Sequence, residues 1–193
     1  MLQSADRQIV TLLNNAVGHF QPWDNFMEAM VSDYLVPVAG SLMVFGLWFL
    51  GPEASRVRNQ IAAITATASM GIASLVTLIV NGLYFRERPF VSQDLNLLFY
   101  QPTDSSFPSN SAAVAFAIAA AIFSAHHRLG IMMYILAFMW AFARVYSGVH
   151  YPSDVIVGAG LGILTTILVR SCIYKLRPLI QRLLSALKAL YLA

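Results

Sequence analysis

Apolar residues run through this 193-residue chain in long stretches broken by short polar clusters. Residues 61–80 carry no charge, which is enough for a helix that crosses a bilayer. Residues 34–50 form a second such run. Three shorter runs follow at about 109–125, 129–143 and 155–169, each abutting a polar cluster that can carry the helix into a wet cavity. The pattern predicts an all-α, polytopic membrane helix bundle with five spans and a single domain over 1–193. At the N-terminus, Leu2, Ile9, Leu12, Leu13, Ala16 and Phe20 recur at roughly helical spacing beside Asp6 and Arg7. Charges this early do not suit a cleavable signal, so residues 1–22 are expected to form an amphipathic helix in the interface plane, ended by Pro22. Residues 177–193 have the same character and are expected to form an amphipathic tail. The Tyr34–Pro37 stretch predicts an irregularity early in its helix.

Composition agrees with a membrane protein: 58% of residues are hydrophobic and 11% charged. Cys172 is the single cysteine, so an internal disulfide or a cysteine metal cluster is excluded. The charges divide by side. With five spans, the 51–60 loop, the 126–128 turn and the tail share one face. They hold Arg56, Arg58, Arg128, Arg170, Lys175, Arg177, Arg182 and Lys188, eight of the twelve basic residues. Glu53 is the only acidic residue there. The remaining acids fall on the opposite face. The positive-inside rule places the basic face in the cytoplasm. The net charge of +3 then reflects topology, and nucleic acid is not expected as a partner.

Three polar clusters fall on the acidic, outer face: Arg86-Glu87-Arg88-Pro89, Phe107-Pro108-Ser109-Asn110-Ser111, and the hinge Ala143–Asp154. Ionisable residues at membrane depth are costly and usually mark a function. Arg88 and Arg144 present planar forks that match phosphate oxygens. Ser109 stands where it can cap a helix and turn backbone N–H groups toward an anion. His150 supplies a nucleophilic nitrogen, and Asp154, four residues on, can orient the ring. Taken singly, each has a plainer reading: a headgroup anchor, a helix start, a structural histidine–carboxylate pair. His19, His126 and His127 are read as interfacial. Gly158, Gly160 and Gly162 are read as close helix packing, and Trp23, Trp48 and Trp140 as interface anchors or lipid-facing bulk.

In their order and spacing, Arg88-Pro89, Pro108-Ser109 and Arg144-x5-His150-x3-Asp154 resemble the signatures of the type 2 phosphatidic acid phosphatases, a family that shares its active-site design with vanadium haloperoxidases. The Phe-Arg-x-Arg-Pro-Phe run and Ser-Ser-Phe-Pro-Ser look most like its bacterial undecaprenyl-diphosphatase branch. The resemblance implies a lipid phosphatase of the bacterial cytoplasmic membrane with its site on the outer face. His150 would carry the phosphoryl group and Asp154 would orient it. Arg88, Arg144, Ser109 and the Asn110 backbone would hold phosphate, with no metal and no cofactor. Three positions depart from the family. Its lysine is Asn81 here, a serine is Ala143, and the second histidine, which protonates the leaving group and then activates water, is Ser111. Two readings of Ser111 follow: a substitution that inactivates an enzyme, or a natural relative with altered activity. The expected substrate is undecaprenyl diphosphate. The alternatives are phosphatidic acid or phosphatidylglycerol phosphate, and, from a different class, a silent lipid-phosphate binder or carrier.

Overall fold

The computed structural model describes residues 2–50 and 52–189, and these are helices joined by loops, with no strand among them. In chain order the helices are α1 (Leu2–Asn14), α2 (Gln21–Val31), α3 (Leu35–Phe49), α4 (Glu53–Leu83), α5 (Pro89–Ser92), α6 (Asn110–Ala125), α7 (His127–Tyr146), α8 (Pro152–Lys175) and α9 (Arg177–Ala189). The five expected spans correspond to α3, α4, α6, α7 and α8. Of these, α4, α7 and α8 are each long and apolar enough to cross a membrane alone. The α2–α3 pair passes as a fourth only when taken together, with a 53° bend between them. The break lies at residues 32–34, just before α3; the irregularity expected within Tyr34–Pro37 is not inside the helix, which runs from Leu35 through Pro37.

At 16 residues α6 is short for a span. It is the central helix, packed by α4, α7 and α8, so little of it needs to face lipid. Its sequence explains this place. Ala112, Ala113, Ala115, Ala117, Ala119 and Ala121 are all buried, and small side chains let neighbouring backbones approach. Gly158 and Gly162 of α8 complete the fit. A β-carbon on Gly158 would lie 2.3 Å from the Ser109 carbonyl oxygen, and one on Gly162 would lie 2.1 Å from that of Ala113. Gly160 faces open space, so its expected packing role does not hold. Trp140 is also corrected: it is 4% exposed and belongs to the core beside Met27, Val36 and Ala137.

The N-terminal segment differs from expectation in two ways. Pro22 lies in the first turn of α2, so it starts a helix where it was expected to end one. And α1 presents to the bundle the face made by Asp6, Val10 and Asn14, continued by Val17 in the turn that follows, all buried. The expected apolar positions Ile9, Leu12 and Phe20 point outward instead. Val10 packs with Ala112, Ala141, Val145 and Tyr151. The Asn14 amide donates to the carbonyls of Tyr146 and Asn96 at 3.0 and 2.9 Å. The helix therefore closes the acidic end of the bundle while leaving the apolar side chains Ile9 and Leu12 exposed. At the other end, α9 is the expected tail helix; residues 190–193 of that tail lie outside the described residues.

Candidate active site

The site forms where α6 and α8 begin and α7 ends. The Ser109 hydroxyl accepts from the Ala112 N–H and caps α6, while the Ser109 N–H donates to the Asp154 carbonyl at 3.0 Å. That bond joins the first turn of α6 to the first turn of α8. Between α7 and α8, Gly148 adopts a positive φ of 75°, which a glycine tolerates, and the turn folds His150 back so that its N–H reaches the Arg144 carbonyl. Arg88, Ser109, Arg144, His150 and Asp154 are thereby gathered into one buried region, none more than 5% exposed.

The histidine ring has its proton placed by its neighbours. Nδ1 lies 3.0 Å from the Ser106 carbonyl oxygen, which can only accept. Nε2 lies 3.2 Å from an Arg88 Nη1, which can only donate. Nδ1 must then carry the hydrogen, and Nε2 keeps its lone pair. Burial pushes the His150 pKa below its ordinary value, and the charges of Arg88 and Arg144 push the same way against the opposing pull of Asp154. Both arginines thus bear on one imidazole.

Asp154 does not touch the ring directly. Its Oδ2 is 3.9 Å from Nδ1, beyond hydrogen-bond reach. The Ser106 hydroxyl stands between them, 2.5 Å from Asp154 Oδ2 and 3.3 Å from Nδ1. Asp154 Oδ2 also accepts from the Tyr151 N–H, and its Oδ1 takes the Arg86 guanidinium at 2.5 Å. Arg86 reaches on to Asp6 of α1 at 2.7 Å and lies over the Tyr151 ring. Asp6 also accepts from the Ser153 hydroxyl and N–H. Burial opposes charge on Asp6, but the hydrogen bonds from Arg86 and Ser153 outweigh it and hold its carboxyl below its usual range. An ordered chain therefore runs from Asp6 through Arg86, Asp154 and Ser106 to His150.

On the opposite side of the ring, each arginine expected to hold phosphate already holds a carboxylate. Arg88 donates to the Asp104 carboxylate at 2.8 Å and to the Asp104 carbonyl at 3.1 Å. Arg144 pairs with Asp33, at the α2–α3 break, and lies over the rings of Phe99 and Trp140. Tyr100 donates to the second oxygen of Asp33. The side chains of Asp33 and Asp104 are 43% and 67% exposed, so both stand between the arginines and solvent.

The remaining expected residues are placed less directly. Ser111 is half-buried in the first turn of α6. The Asn110 side chain accepts from Thr77 of α4 at 2.7 Å. The Asn81 amide faces the carbonyls of Phe107 and Thr77, at 2.6 and 3.2 Å with its nitrogen turned toward them. It braces the loop that precedes Ser109. Asp33 and Asp104 counted only toward the charge of the outer face in the sequence, Asp6 counted there and against a cleavable signal, and Arg86 and Ser106 appeared without a role. A carboxylate inside a helix with an apolar stripe was the one signal that α1 docks on something charged.

An all-helical membrane bundle here brings a buried histidine together with two arginines and, through Ser106, a carboxylate, the kinds of group that phosphoryl transfer uses. The family model of the PAP2 superfamily matches residues 62–178, and the chain belongs to that family, as a PAP2-type membrane lipid phosphatase. Undecaprenyl-diphosphatase BcrC of Bacillus subtilis (strain 168) is 31% identical over 77% of this chain and 74% of its own length. The crystal structure of Aquifex aeolicus LpxE superposes with a TM-score of 0.64 at 26% identity, covering 84% of this chain and 92% of that one. A Bacillus subtilis structure, described as a transmembrane PAP2 type phosphatidylglycerolphosphate phosphatase, gives the same TM-score at 24% identity over 90% and 86%. It shares the fold.

Proposed function

We propose that this protein converts undecaprenyl diphosphate to undecaprenyl phosphate and inorganic phosphate, on the outer face of a bacterial cytoplasmic membrane. The observation that carries the reading is the fixed tautomer of His150, whose Nε2 lone pair lies beside Arg88. The choice of a diphosphate rests on the kinship to BcrC and on Ser111.

In the proposed reaction the terminal phosphate displaces the carboxylates of Asp33 and Asp104 from Arg144 and Arg88. The first-turn N–H groups of Asn110 and Ser111 complete its cradle. His150 Nε2 attacks phosphorus, and the P–O bond to the lipid monophosphate breaks. Attack needs alignment and charge stabilisation, which the arginines supply. The ring gains positive charge as the N–P bond forms, and the Ser106 carbonyl and the Ser106–Asp154 contact favour it. The lipid monophosphate leaves as a stable anion and needs little protonation. Water then attacks the phosphohistidine, the N–P bond breaks, and the water proton leaves with inorganic phosphate. This second step lacks a strong base at position 111, so it limits turnover. A monoester would need a proton on its alkoxide at the first step as well.

Ser111 also supports a second reading, a lipid-phosphate binder that turns over little or not at all. Phosphate release from undecaprenyl diphosphate and from phosphatidic acid, measured beside His150→Ala, tests both. The enzyme reading expects slow release, faster from the diphosphate, and none from His150→Ala. Equal release by His150→Ala and the unaltered chain contradicts it. The topology is tested separately in a Cys172→Ser background. A cysteine placed within 92–104 should react with an impermeant thiol reagent from outside, and one placed within 52–58 should not.

A further inference from the structure

The opposite end of the bundle holds a second basic site, which does not depend on the phosphatase reading. A cavity of about 280 Å³ opens there between α4, the end of α6, and the α8–α9 junction. Arg58, Arg170 and Arg177 line it, together with Ile61, Ala62 and Ile173. No acidic residue lines the cavity. Among the described residues, the ion pairs involve Arg86, Arg88, Arg144 and His150, and none of these three arginines. The membrane-topology rule explains why basic residues lie on this face. It does not explain why Arg58 of α4 meets Arg170 and Arg177 of the α8–α9 junction, more than 100 residues on, around one apolar-floored cavity. Like charges brought together repel, and an anion seated among them removes that cost.

We infer that this cavity binds the phosphate headgroup of an anionic phospholipid from the leaflet on the basic face. The chemistry selects that occupant. Guanidinium forks match phosphate oxygens, and the exposed arginines stand where a membrane protein meets headgroups. Ile61, Ala62 and Ile173 offer the glycerol and first acyl carbons an apolar wall. A zwitterionic lipid would bring its own cation against three arginines, and a free phosphate ion would leave that wall unused. The bound lipid would tie α4 and α6 to α8 and α9.

The test is native mass spectrometry of the full chain, titrated with phosphatidylglycerol, with phosphatidylcholine of the same acyl chains, or with inorganic phosphate. Phosphatidylglycerol should be retained in preference to both. Changing Arg58, Arg170 and Arg177 to glutamine should weaken it by about fivefold per arginine and about a hundredfold for all three. Changing Arg56, Arg128 and Lys175 to glutamine removes the same charge from the same face and should alter retention by less than about fivefold. Equal retention of phosphatidylcholine by the unaltered chain overturns the proposal without reference to any variant. So does an equal loss in the two triple variants, which reduces the site to surface charge. Binding of inorganic phosphate as tightly as the lipid overturns the choice of occupant.

Discussion

The two ends of this bundle use arginine in opposite ways. At the acidic end Arg86, Arg88 and Arg144 are largely buried, and each is met by a carboxylate: Asp6 and Asp154, Asp104, and Asp33. At the basic end Arg58, Arg170 and Arg177 are exposed and no acidic residue lines the cavity they share. The difference follows from solvation. An exposed guanidinium keeps its water and needs no partner, so its position is set by topology. A buried one needs an anion, so burial of three arginines requires carboxylates from elsewhere in the chain. On the proposed readings, phosphate at the acidic end displaces some of those carboxylates, and phosphate at the basic end displaces nothing.

The largest expected change comes from restoring a general acid–base to the acidic end. Ser111→His should raise turnover on undecaprenyl diphosphate by roughly 10²- to 10⁴-fold, read as steady-state phosphate release. Asn81→Lys should do less, because it adds a phosphate contact and removes a brace on the Phe107 loop. No change on Ser111→His would mean that another residue supplies the proton.

Removing a buried arginine comes next. Arg88→Ala should lower kcat/KM by roughly 10²- to 10³-fold, the cost of losing a donor to the transition state. Arg128→Gln, at the exposed end, should leave it within about twofold. Equal losses would erase the contrast between the ends. The pH profile sharpens it. In the proposed reaction attack requires neutral His150, so the rate should fall as pH drops through the ring's pKa. Burial, Arg88 and Arg144 depress that pKa, which puts the acid limb below the ordinary histidine value of 6.5. Arg88→Ala should move the limb upward, and a limb that stays put would separate Arg88 from His150.

The bundle itself was readable from the residues. Five apolar runs correspond to α3, α4, α6, α7 and α8, because transmembrane length and lack of charge are local properties. The gathering of Arg88, Ser109, Arg144, His150 and Asp154 was readable as well, since their shared face follows from counting spans. What stayed hidden depends on pairing across the fold. Asp6 and Arg86 are 80 residues apart, and nothing local announces their contact. An amphipathic stripe looks the same whether it faces lipid or protein, so the docking of α1 through Asp6, Val10 and Asn14 was missed. Pro22 begins a helix as readily as it ends one. Ser106 was visible only as part of a run, and its place between Asp154 and His150 is set by the fold.

Smaller effects test the carboxylates. Asp6→Asn weakens the hold on Arg86 and leaves Asp154 less well oriented. It should lower kcat by about 5- to 150-fold, corresponding to 1–3 kcal/mol for an unsatisfied buried group, with KM little changed. A rise in KM alone would assign Asp6 to substrate binding. Asp33→Asn should act in the other direction. It removes the anion that competes for Arg144, so inorganic phosphate should inhibit about two- to fivefold more tightly, a modest effect because the pair is partly exposed. Weaker inhibition would show that Asp33 only holds Arg144 in place.

In the proposed reaction His150 carries the phosphoryl group while Ser111 slows its release. The direct measurement is to mix the purified chain with undecaprenyl diphosphate labelled at its terminal phosphate, quench in base, and map the labelled residue. Base-stable, acid-labile label should appear on His150, at a lower steady level in Ser111→His, and not at all in His150→Ala. Phosphate release with no label on His150, or label that persists in His150→Ala, would contradict it.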